Sequence, residues 1–69
     1  MGKAFDIMEE LVDKFGVRDT MLMLSDVISA KADHIAGNWQ DEGLARQWVK
    51  AGQVVRKAVR ELPKGPGIK

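Results

Sequence analysis

Cysteine is absent from the 69 residues, and histidine occurs once, as His34. These shortages remove disulfides, thiolate metal sites and His-rich metal centres from consideration. Hydroxyl side chains are equally scarce. Thr20, Ser25 and Ser29 all fall inside one predicted helix, with no base signalled beside them. There is no Gly-rich phosphate loop, no histidine pair at zinc spacing and no nucleophile elbow. Asp33 and His34 are adjacent, which is the raw material of a general base. A helix-end histidine resting near the negative end of the helix dipole is the favoured reading of that pair. Neither catalysis, cofactor nor metal is expected. No run approaches the roughly 18 apolar residues of a membrane span. The opening residues 1–6 lack the apolar stretch of a secretory signal. The expected location is the cytosol, without a membrane partner.

Shortness sets the next constraint. A single chain of this size buries only about 60% of its unfolded surface and its core rarely supplies more than roughly 3–5 kcal/mol. Small domains add a disulfide, a metal or a further copy of themselves, and with the first two gone, self-association is expected. Net charge is +1, but it is unevenly spread. Residues 1–43 hold nine acidic and four basic side chains, a sum of −5, and residues 44–69 hold one acidic and seven basic, a sum of +6. That split implies either helices that attract one another or a basic face for an anionic partner.

The apolar spacing predicts an all-α fold of three helices in a single domain over residues 1–62. Phe5, Met8, Leu11, Val12 and Phe15 recur at three and four, opposite Asp6, Glu9, Glu10 and Asp13, giving a short first helix over residues 3–15. Gly16 suits its end. A second helix is expected from residue 17 or 18 to 36, with Met21, Leu24, Ile28, Ala32 and Ile35 as its main stripe. Gly37 then breaks the pattern. Asn38 is placed as the cap of a third helix, with Asp41 reaching back. That helix runs to about residue 62 on a stripe that includes Leu44, Trp48, Gly52, Val55 and Val59, where Ala and Gly admit a close neighbour. Helices two and three form a long hairpin with the first helix packed across it. Met21, Leu24, Ile28, Trp48, Gly52 and Val55 are the candidate self-association residues. Residues 63–69, with two prolines and two glycines, read as a flexible tail.

One segment is chemically dense. His34, Asn38, Trp39, Gln40 and Arg46 gather imidazole, amide, indole and guanidinium groups around one helix–helix corner. The favoured structural reading has Trp39 plugging the end of the bundle. The functional reading makes the corner a protein-interface hot spot or a cradle for a planar anion such as a nucleotide. Arg46, Lys50 and Lys57 extend it along the third helix, a row that phosphate binding would use. The pI of about 8.1 falls below the value of roughly 9 of a dedicated nucleic-acid module.

The stretch K-A-D-H-I-x-x-N-W-Q-D-E-x-x-A-R-x-W, residues 31–48, resembles short uncharacterised helical proteins of bacteria, phages and other mobile elements. The resemblance covers about a quarter of the chain. It implies a bacterial or phage-infected cytosol. By analogy of genre, it also implies a stoichiometric inhibitor of host defence that occupies a partner's surface. The alternatives are a nucleotide sponge or nucleic-acid binder using the basic third helix, and a structural or assembly protein.

Overall fold

The computed structural model describes residues 2–64. It is all-helical, but it contains two α-helices rather than three. Helix α1 spans Lys3–His34 and α2 spans Glu42–Arg60, joined by a single wide π-type turn over Ile35–Trp39. The expected first and second helices are thus one kinked helix. Gly16 sits inside it at φ 85°, ψ 164°, outside helical space. The frayed carbonyl of Gly16 accepts a 2.7 Å bond from the Thr20 hydroxyl one turn on, which satisfies a group the kink would otherwise strand. The helix resumes at once because residues 17–34 contain no further breaker.

The kink has a cause in the stripe phases. At 100° per residue, an unbroken helix would put the Phe5–Met8–Val12–Phe15 stripe roughly 170° around from the Met21–Leu24–Ile28 stripe. Without Gly16, the two apolar faces would point in nearly opposite directions.

The turn also differs from expectation. Asn38 does not cap α2. Its Nδ2 donates to the His34 carbonyl at 3.1 Å and to His34 Nδ1 at 3.0 Å, so it closes the end of α1. Asp41 is the cap, accepting from the Leu44 amide at 3.0 Å. The left-handed residue is Gln40, at φ 53°, ψ 31°, and not Gly37. The π turn adds residues to the end of α1 before the chain reverses, which moves both roles toward the C-terminus.

The hairpin closes on small residues. Ala32, Ile35, Ala45 and Val59 are the buried apolar side chains, with Gly52 and Ser25 between them. A methyl group built on Gly52 would lie 3.3 Å from Ile28 Cγ2 and 3.6 Å from Ser29 Oγ. The helix that Gly52 admits is therefore α1 of its own chain. Between the helices, Arg56 donates to Asp26 at 3.0 Å; both side chains are well exposed, so the pair contributes at most about 1 kcal/mol.

Ser25 is fully buried, and its Oγ has no hydrogen-bond partner among the described residues. An unbonded buried hydroxyl costs about 1–3 kcal/mol. Ser25→Ala is therefore expected to stabilise the protein by about 1 kcal/mol, read as a rise in the urea midpoint. A fall in that midpoint would show that the hydroxyl is bonded.

The rest of the molecule is thinly packed. Its radius of gyration is 14.2 Å, against roughly 11 Å for a compact chain of this length. Residues 2–10 are exposed throughout. The part of α1 before Gly16 does not pack across the hairpin as a covering helix; it presents its stripe to solvent. Of the expected tail, residues 63–64 are exposed and lie outside any helix, and residues 65–69 lie outside the described residues.

Candidate functional site

The corner between α1 and α2 is built by the wide turn. Ile35 at the start of that turn is buried in the hairpin, whereas the four residues after it, 36–39, are exposed. Trp39 is 65% exposed, so it does not plug the bundle. Its ring meets the His34 ring edge-on, with centroids 6.5 Å apart and planes at 68°. Asn38 fastens the arrangement through its two bonds to His34. His34, Asn38 and Trp39 therefore form one exposed unit, with Gln40 following in its left-handed turn.

Arg46 lies beside that unit in sequence but belongs to a different surface. It lines a shallow groove of about 250 Å³ between the helices, with Asp33 and Glu42 as its charged neighbours and Ala36, Ala45 and Val49 as its apolar floor. Its guanidinium approaches Glu42 at 4.0 Å, both side chains at least four-fifths exposed, which is worth little energetically. Lys50 and Lys57 share the side of α2 on which Arg46 sits, at spacings of four and seven. Lys57 borders a second shallow groove of about 270 Å³ with Gln53, Arg56 and Arg60. The seven expected ligand residues thus fall into a corner group and a cationic row leading away from it. Among the described residues, no three Asp, Glu or His gather as a metal site, and no helix is long and apolar enough to cross a membrane.

The six expected self-association residues are placed differently. Ile28 and Trp48 line one shallow groove of about 210 Å³ together with Ala51 and Gln47. Leu24 is one turn before Ile28 and 43% exposed; Val55 is two turns past Trp48 and half-buried, as is Met21 one turn before Ser25. These five share one face of the hairpin, on both helices. Gly52 is the exception, since its contact is used inside the chain. Sequence reasoning did not find Asp26 opposite Arg56, because nothing local fixes how two helices register. The stripe that ends at Phe15 was legible, but its exposure was not.

No family model, curated protein or solved structure matches the chain.

Proposed function

We propose that this chain is a non-catalytic binding protein that occupies a partner's surface stoichiometrically, with a second copy completing its core. The observation that carries the binding role is the indole of Trp39. A large apolar ring left mostly in water, with the His34 ring edge-on beside it, is the kind of anchor that dominates protein interfaces. The sequence resemblance points the same way, toward a phage or mobile-element inhibitor of a host defence protein. The absence of Ser, Thr and Cys from residues 31–48 supports a role without nucleophilic chemistry.

Trp39→Ala is expected to leave the melting temperature within about 1–2 °C, because the ring buries little. It should abolish retention of the partner in a pull-down that the wild type supports. No protein retained by the wild type and lost by the variant would overturn the binding role.

A second reading has its own observation. The cationic row of Arg46, Lys50 and Lys57, bordered by the Arg56–Arg60 groove, suits a polyanion or nucleotide. For a nucleic acid, its affinity would fall steeply with added salt, at a log–log slope set by the number of phosphates contacted. A salt-independent affinity, or none, removes it. Within the bordering groove, Arg56 is already engaged by Asp26.

A further inference from the structure

The solvent side of α2 carries one sign of charge. Over residues 43–60 the helix holds Arg46, Lys50, Arg56, Lys57 and Arg60 and no acidic residue. All five are exposed. At 100° per residue, Arg46, Lys50, Lys57 and Arg60 fall within about 80° of one another. Gln53 is the only uncharged side chain between Arg46 and Arg60 in that sector. The buried Ala45, Gly52 and Val59 centre roughly 125° away, so the hairpin contact leaves the row uncovered. Arg56 lies at its edge, turned to Asp26. Among the described residues, the row's one ion pair is Arg46 with Glu42, at 4.0 Å and well exposed.

The shape of the row selects its partner. From Arg46 to Arg60 it is about 21 Å long at 1.5 Å per residue, and it is narrow. A lipid surface is planar, and an interfacial helix is held there by burying its apolar face in the bilayer. Here the most buried side of α2 is closed against α1. A single-stranded nucleic acid is held by bases stacked on aromatic rings, and this sector contains none. A duplex offers instead a dense line of phosphates, one negative charge per roughly 1.7 Å of its axis. The major groove of B-form DNA, about 12 Å wide, also admits a helix that measures about 10–12 Å across with its side chains.

We propose that the outer face of α2 lies along the major groove of a DNA duplex, with Arg46, Lys50, Lys57 and Arg60 neutralising backbone phosphates. Phosphate contacts fix position and carry no sequence information, and the single Gln53 amide adds little readout, so the contact is sequence-independent. The proposal rests on the reading of this row as a polyanion site, and it names the polyanion.

Fluorescence anisotropy of a short labelled DNA duplex, titrated with the full chain, tests it. Four neutralised phosphates predict a log–log slope of affinity against salt of about −3.6, a loss of roughly 150-fold between about 50 and 200 mM salt. Lys50→Gln combined with Lys57→Gln is expected to reduce the slope to about −1.8. Lys14→Gln combined with Lys31→Gln removes the same charge from α1 and is expected to keep the slope at about −3.6. All four lysines are exposed, so both double variants should retain wild-type helicity by circular dichroism. Equal slopes for the two double variants would show that net charge, and not the row, sets the affinity, and would overturn the proposal. Equal or tighter binding of the single strand, of phosphatidylserine vesicles or of polyglutamate overturns the duplex assignment while the polyanion reading stands. No binding of any of the four probes overturns both.

Discussion

Gly52→Leu is expected to lose about 1–3 kcal/mol, the usual cost of forcing a large side chain into a packed contact. In a domain whose core supplies roughly 3–5 kcal/mol, that loss leaves a partly unfolded population at room temperature. The reason is local. A single methyl at this position already comes within 3.3 Å of Ile28 Cγ2 and within 3.7 Å of the Ser25 carbonyl. The carbonyl is fixed backbone, and Ile28 is β-branched and stiff, so a longer side chain can be accepted only if the helices separate. Separation would also uncover Ala45 and Val59. Gly52→Ala is the discriminating control. Its methyl requires Ile28 to give by a few tenths of an ångström, while alanine gains up to about 1 kcal/mol of helix propensity over glycine. The two effects nearly cancel, so the Ala variant should be close to neutral. Urea denaturation at fixed protein concentration reads both variants. Equal stabilisation by Ala and Leu would mean that propensity alone governs the site and that the helices do not meet at Gly52.

Gly16→Ala is expected to straighten α1 and, on the proposed pairing with a second copy, to disperse that pair into single copies. The observed φ and ψ at Gly16 lie in a region essentially restricted to glycine, and holding alanine there costs of order 1–3 kcal/mol. Returning to helical space removes that strain, restores the interrupted backbone bonds and adds the propensity gain of Ala over Gly. Within a single chain nothing on the arm opposes the change, because residues 2–10 are exposed throughout. The resulting 32-residue helix would be about 48 Å long. Its arm stripe would then sit roughly 170° around from the hairpin stripe and could no longer be presented to the same partner surface. Small-angle scattering should show a lengthened particle, and the solution mass should fall by half. A variant that keeps its mass and its dimensions would show that the kink is not set by residue 16.

The features legible in the sequence are those fixed by neighbours three or four positions apart. The stripe spacings identified the helical class, the position of the break at Gly16 and the common stripe of Leu24 and Ile28. Gly16 also shows where that reasoning stops. A glycine can end a helix or merely bend it, and the choice here depends on a helix that restarts immediately, with Thr20 covering the freed carbonyl. At the corner, both Asn38 and Asp41 are good capping residues. Which one caps α2 depends on the width of the preceding turn, and a π turn has no spacing signal of its own. The exposure of Trp39 follows from that same turn. Its side chain is apolar, so composition alone favoured burial. Asp26 facing Arg56 lies furthest from sequence reasoning, because their pairing across 30 positions depends on how α1 and α2 slide against each other.

Light scattering coupled to gel filtration, run over a range of protein concentrations, tests the central claim that one chain leaves apolar surface that only a second copy covers. The expected mass is twice 7.7 kDa, constant above the dissociation range. A mass of one chain at every concentration, with a sharp cooperative melting transition, would contradict it.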